Sequence, residues 1–262
     1  MLNSALREKI VSIIYSSGEG HIPSSFSVID IINFIYLNVI NINSNNFNSI
    51  NRDYFILSKG HAAAALFAVL HEINVLSQSE LDNYGKFGGN LGGHPDCTKV
   101  PGAEASTGSL GHGFPTAVGI ALGLKIKKVE NKVICLLGDG ECQEGTVWEA
   151  ANIASNQSLG NLCAVVDWNG SAKQLMPIDD LKKKWEGFGW NVFITDGHSN
   201  PDLERVFSKV KWRLSKKPTV ILAKTVKGKG VSLIEGHGIW HHKIPDESQM
   251  KQILLELKNE SC

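Results

Sequence analysis

Val133-Ile134-Cys135-Leu136-Leu137-Gly138-Asp139-Gly140 is the stretch that decides the fold. Five consecutive apolar residues are too few for a helix of ordinary length, ~10–12 residues, and the run stops at a glycine, so it reads as a strand covered on both faces, as strands of parallel sheets are. Working outward, Tyr54 to Ser58, Leu162 to Asp167, Asn191 to Thr195 and Thr219 to Ala223 repeat the pattern. Helix-like segments lie between these runs. Ser27-Val28-Ile29-Asp30 reads as a capping box before an apolar stretch to Val39, a helix is expected from about Thr146 to Ser155, another begins near Ile178, and Pro201 opens a segment ending near Val210. Glu247 to Lys258 reads as an amphipathic C-terminal helix. The alternation predicts an α/β fold: a three-layer, open, mostly parallel sheet with helices on both faces, forming one domain over residues 1–262. Residues 41–51, rich in Asn and Ser, read as a surface loop. Residues 85–113 form a Gly-rich stretch without periodicity, and a loop that long is more often functional than idle.

Bulk composition excludes more than it identifies. The 26 basic residues balance 26 acidic ones, so nothing draws the chain to nucleic acid or to a charged membrane surface. The N-terminus shows no basic segment followed by an apolar run, and no stretch approaches the ~20 apolar residues of a membrane helix, so a cytoplasmic protein is expected. Cys97, Cys135, Cys142, Cys163 and Cys262 include no Cys-x-x-Cys pair, which favours free thiols in a reducing compartment. Gly-His pairs recur at Gly20-His21, Gly60-His61, Gly93-His94, Gly111-His112, Gly197-His198 and Gly236-His237 and ask for a local explanation.

The chemistry centres on Gly138-Asp139-Gly140. A carboxylate directly after a strand stands at the carboxyl end of an open α/β sheet, where ligands characteristically bind. Flanking glycines let backbone approach a ligand, and the helix start behind them offers N–H groups and a positive dipole end to an anion. Thirty residues later Asn169, in Asp167-Trp168-Asn169-Gly170, ends a second apolar run. One carboxylate and one amide oxygen suit magnesium, a hard cation that completes its octahedron with phosphate oxygens and water. A tight turn is the bland alternative for Gly-Asp-Gly taken alone; Asn169 at a second strand end turns the balance toward a diphosphate clamp. No Gly-x-x-x-x-Gly-Lys-Ser/Thr stretch exists, which leaves a P-loop nucleotide binder without support.

Gly-Asp-Gly followed some thirty positions on by Asn resembles the thiamine-diphosphate motif, and specifically its transketolase version. Leu57-Ser58-Lys59-Gly60-His61-Ala62, Gly93-His94-Pro95, Ser106-Thr107-Gly108-Ser109-Leu110-Gly111, Gln143-Glu144-Gly145 and Trp148-Glu149-Ala150 are similar to transketolase segments in the family's order, so the resemblance covers about residues 5–245. It implies that Asp139, Asn169 and the main-chain carbonyl of Ser171 hold magnesium. It also implies that Gly138, Gly140 and Gly108-Ser109-Leu110 line thiamine diphosphate, and that Glu144 and Glu149 sit at a subunit interface linking cofactor sites. His21, His61 and His94 match histidines that bind the donor sugar and move protons, work that suits an imidazole near pH 7. The family's further histidine, which contacts the diphosphate, falls on either His237 or His241, and the residues leave that choice open. His112 stands where the family more often has Gln. After Asn169 the connection through Gly170-Ser171-Ala172-Lys173 is shorter than usual, where family members often carry a bulky apolar residue over the thiazolium.

In that family the glutamate that activates the aminopyrimidine lies on a second, pyrimidine-binding domain contributed across the dimer interface. The sequence ends where such a domain would start, so the expected function is ketol transfer from a ketose to an aldehyde together with a partner chain carrying that domain, two copies of each forming a heterotetramer. Alternatives are a deoxyxylulose-phosphate-synthase-like enzyme, the α chain of a 2-oxo acid dehydrogenase, a specialised carbon–carbon bond-forming variant, or a non-catalytic regulatory subunit. The histidine set favours sugar chemistry over the dehydrogenase.

Overall fold

The structure is a computed structural model that describes residues 3–174, 176–177, 180–236 and 238–259. Chain order runs α1 (Ser4–Ser17), α2 (Ile22–Asn38), β1 (Tyr54–Leu57), α3 (Ala63–Glu72), α4 (Gln78–Asp82), α5 (Gly113–Ile126), β2 (Val133–Gly138), α6 (Gly145–Asn156), β3 (Leu162–Trp168), α7 (Leu181–Gly187), β4 (Asn191–Asp196), α8 (Asn200–Phe207), β5 (Thr219–Lys224) and α9 (Glu247–Asn259). The five strands form one sheet in the order β1-β2-β3-β5-β4, and every neighbouring pair is parallel.

Alternation along each strand builds the three layers, because successive side chains leave opposite faces of a sheet. Phe55, Leu57, Ile134, Leu136, Cys163, Val165, Ile221 and Ala223 join a core with α1, α2, α3, α8 and α9. Ile56, Cys135, Leu137, Ala164, Val166, Val220 and Leu222 join a second core with α5, α6 and α7. Each central strand therefore reads as unbroken apolar sequence, since neither of its faces meets water. Cys135, Cys142 and Cys163 are buried free thiols and Cys97 is an exposed one; Cys262 lies outside the described residues.

One expectation needs correction. Ser27-Val28-Ile29-Asp30 does not start a helix: α2 begins at Ile22, with Pro23 in its first turn, and Ser27 and Asp30 lie buried inside it. Their polarity serves tertiary contacts instead, since Ser27 Oγ donates to Asp167 (2.5 Å) and Asp30 pairs with Arg7 (2.6 Å). Just past Asp139 a 3-10 turn over Gly140–Gln143 leads into α6, whose span Gly145–Asn156 agrees with the helix expected from about Thr146 to Ser155. Ile178, expected near a helix start, lies outside the described residues; the helix there begins at Leu181, with the Asp180 carboxylate accepting from Lys183 N–H.

Trp185 is fully buried and packs edge-on against Phe114 and Trp190 and obliquely against Trp148, so it joins α5, α6 and α7 under the sheet. Trp185→Ala is expected to lower unfolding free energy by about 3–5 kcal/mol in urea titration, the range for emptying a buried aromatic site, with the urea dependence unchanged.

Candidate active site

All five parallel strands point their carboxyl ends the same way, and four of them deliver polar residues to one place. Past β1 come Ser58, Lys59 and His61; past β2, Asp139 and Gly140; past β3, Asn169 and Ser171; past β5, Thr225 and Lys227. His21 and Ser24 arrive from the start of α2, His94, Gly108 and Leu110 from the long loop, and His241 from a turn before α9. These residues, Thr225 and Ser58 excepted, line a cavity of about 280 Å³ together with Gly138 and Glu141.

An ion pair closes its floor. The Lys59 ammonium lies 2.5 Å from an Asp167 carboxylate oxygen, and both side chains are almost wholly excluded from water, 2% and 0% exposed. Burial alone would raise the Asp167 carboxyl, but the Lys59 charge and the hydroxyls of Ser27 and Thr225 outweigh it and hold the group below the usual carboxylate range. Asn169 Nδ2–H donates to the same carboxylate at 2.9 Å, which fixes the amide's orientation; its Oδ1 accepts from Ser171 N–H at 2.9 Å. A second buried carboxylate, Glu141, accepts from Ser58 Oγ (2.6 Å), Gly111 N–H (3.0 Å) and Gly138 N–H (2.9 Å). It thereby ties the β1 and β2 ends to the long loop.

Asp139 has the opposite environment. Burial and then the neighbouring Asp167 charge push its carboxyl upward, relieved in part by Gly170 N–H at 2.8 Å. Such a carboxylate calls for a cation. Across the cavity Lys227 has no carboxylate within ion-pair distance among the described residues, and burial followed by the Lys59 charge lowers its pKa. Such an ammonium calls for an anion. Among the described residues, Ser24 Oγ is buried with no hydrogen-bond partner, and a Cβ placed on Gly140 would meet nothing within 4 Å. Paired oxygen donors, an unpaired cation, an orphaned hydroxyl and open space beside a glycine fit a metal-bound diphosphate.

The histidines gather around His21. Its ring centroid lies 5.5 Å from His61, 6.2 Å from His94, 5.0 Å from His241 and 4.7 Å from His242. His21 Nδ1–H donates to the His241 carbonyl (2.9 Å), and Lys227 Nζ donates to His241 Nδ1 (2.9 Å). Burial, reinforced by neighbouring imidazoles and lysines, lowers His21, takes His61 well below its ordinary 6.5, and brings His241 to about 4. All three are therefore neutral at pH 7, each able to accept a proton at one nitrogen and donate at the other. Glycine makes the crowding possible: a Cβ on Gly60 would stand 2.7 Å from the Thr107 backbone, and Gly108 holds φ +153° with its missing Cβ 3.0 Å from the His94 ring.

Residues 1–257 match the family described as "Transketolase, thiamine diphosphate binding domain". The chain belongs to the transketolase family. It is 35% identical over 256 residues to an apulose-4-phosphate transketolase subunit of Phocaeicola vulgatus, a match covering 96% of this chain and 90% of that one. It is 34% identical to the 6-deoxy-6-sulfo-D-fructose transketolase subunit SqwG of a Clostridium species, over 99% of this chain and 96% of that one. Among solved structures it resembles transketolase from Campylobacter jejuni, with TM-score 0.88 and 28% identity, over 97% of this chain and 41% of that one. The chain thus spans about two-fifths of that solved transketolase.

Of the residues singled out from sequence for this transketolase-family chain, His21, His61, His94, His241, Gly108, Leu110, Gly138, Asp139, Gly140, Asn169 and Ser171 share the cavity. Ser109 is outside its lining, and Glu144 and Glu149 are exposed, Glu144 at the position preceding α6 and Glu149 within that helix. His112 turns back on its own loop, its Nδ1 bonding the Leu110 carbonyl at 2.9 Å. His237 lies outside the described residues. Sequence reasoning passed over Lys59, Asp167, Glu141, Ser24 and Lys227, because a lone polar residue inside a motif gives no sign of which partner it will meet.

The lowered histidines have a consequence for stability. An unfolded chain protonates its histidines near 6.5, whereas folded His241 waits until about 4. Between those values the unfolded state binds more protons, so stability falls as pH falls, and below about 4 this group adds no further loss. Unfolding free energy measured from pH 7 to 4.5 should fall, and His61→Gln should flatten that fall.

Proposed function

We propose that this chain is the diphosphate-binding subunit of a transketolase that uses thiamine diphosphate and magnesium to transfer a two-carbon ketol unit from a ketose to an aldehyde. The observation that carries the reading is the Asp139 carboxylate and the oriented Asn169 amide oxygen at adjacent strand ends, facing the same cavity as the unpaired Lys227 ammonium. Asp139, Asn169 Oδ1 and the Ser171 carbonyl would hold magnesium, an ion that takes few protein ligands and leaves the rest of its octahedron to phosphate oxygens and water. Lys227, Ser24 and the backbone at Gly140 and Gly108-Ser109-Leu110 would hold the diphosphate. When bound, the cofactor supplies a carbon nucleophile and an electron sink for the ketose carbonyl.

The protein's own work is orientation and proton handling. His21, His61 and His241, kept neutral by burial, and His94, whose ring lies 6.2 Å from that of His21, bind the hydroxyls beside the ketose carbonyl and relay protons as the carbon–carbon bond breaks and forms. The exposed Glu144 and Glu149 face subunit contacts. A partner chain carrying the pyrimidine-binding domain completes the enzyme, two copies of each forming a heterotetramer, a reading supported by the "subunit" names of two relatives. Those names also pair a ketose with a phosphate or a sulfonate group, which supports an anionic ketose as donor. No helix among the described residues is long and apolar enough to cross a membrane, in keeping with work on a water-soluble sugar in the cytoplasm.

Isothermal titration of thiamine diphosphate with magnesium, with and without the partner, tests the reading through Asp139→Ala. A lost direct ligand should exceed the ~10–100-fold cost of a lost outer partner, so cofactor affinity should drop at least about 100-fold. Stability without cofactor should hold or rise, because the variant removes a carboxylate that burial disfavours. Binding unchanged by Asp139→Ala contradicts the assignment.

A further inference from the structure

Gly197-His198 repeats the Gly-His pattern outside the cavity. His198 follows β4 and its side chain is 9% exposed. Nδ1–H donates to Asp30 Oδ2 at 2.8 Å, and Nε2 accepts the Val226 N–H at 2.9 Å, which places the ring proton on Nδ1. Asp30, in the middle of α2, is also held by Arg7 Nη1 (2.9 Å), Arg7 Nη2 (2.6 Å) and Asn3 Nδ2 (2.9 Å). The same Arg7 extends Nε–H to the Lys229 carbonyl at 2.8 Å. Two arms from one carboxylate thus end on main chain either side of Lys227, whose successor Gly228 donates to the Pro23 carbonyl at 3.0 Å.

We propose that His198, backed by Asp30, is a positioning residue that sets the Lys227 ammonium for an anionic diphosphate by fixing the main chain at Val226. The inference rests on the diphosphate reading of the cavity and deepens it. Lysine is a point charge on a flexible stem, so its placement depends on the backbone that carries it. Arg7 already meets the Asp30 charge through both terminal guanidinium nitrogens, so the contact that His198 alone supplies is the acceptor for Val226. That bond reaches the cavity through one residue. The requirement for a supported ligand group is general: a site left about 1 Å loose loses function while its residues remain present.

Two substitutions separate this role from plain structural support. In His198→Gln the terminal amide reaches the place of Nε2 and keeps an acceptor for Val226; in His198→Asn it reaches only the place of Nδ1 and keeps the Asp30 contact. Magnesium pyrophosphate is titrated into the unmodified chain, both variants, Lys227→Met, and Lys227→Met combined with His198→Asn, with urea unfolding of each. His198→Asn should weaken binding about fivefold, the worth of one hydrogen bond. His198→Gln should bind like the unmodified chain, and His198→Asn should add nothing once Lys227 is Met. Equal weakening by Gln and Asn, a full effect of Asn without Lys227, or loss of the fold in His198→Asn would overturn the proposal. Failure of the unmodified chain to bind contradicts the diphosphate reading itself, whereas binding that His198→Asn leaves unchanged overturns this inference alone.

Discussion

The buried pair between Lys59 and Asp167 is the constraint on which the rest of the site depends. Taking both charges out of water is costly, and the attraction between them recovers that cost only when geometry and hydrogen bonds are complete. Asp167 meets the condition with Lys59, Ser27, Thr225 and Asn169. Those contacts come from β1, α2, β5 and β3, so one carboxylate gathers the elements that must converge before a cavity exists at the sheet's edge. The pair also adds to the effect of burial around it: Asp167 pushes Asp139 further upward, and Lys59 pushes His61 and Lys227 further downward.

From that arrangement the chemistry of the cavity follows. Among the described residues one carboxylate lacks a cation and one ammonium lacks an anion, and three imidazoles are kept neutral. A metal diphosphate would supply both charges at once and would leave the imidazoles for hydroxyl and carbonyl groups. Family membership agrees with this reading without having to carry it.

The parallel sheet was legible because its strands are buried on both faces: Val133 to Leu137 and Thr219 to Ala223 leave little room for another interpretation. Asp139 and Asn169 were legible because strand ends can be read from sequence, and His21, His61 and His94 because each follows a glycine in the family's order. Ser27 and Asp30 misled, since a polar pair three apart before an apolar run looks the same whether it caps a helix or faces buried partners 140 and 23 residues away. Lys59, Asp167 and Lys227 were invisible for the same reason: their roles are long-range pairings, which local pattern does not encode. Of the pair His237 and His241, left open in the sequence, His241 lies in the cavity and is bonded to Lys227, and His237 lies outside the described residues.

The central claim is that this chain's own strand ends form a metal–diphosphate site. A crystal structure of the chain grown with manganese and thiamine diphosphate, using the anomalous signal of manganese, tests it most directly. The account predicts one manganese bonded to the Asp139 carboxylate and Asn169 Oδ1, with the diphosphate reaching Lys227. Manganese elsewhere, or a diphosphate bound away from Asp139 and Lys227, would contradict it.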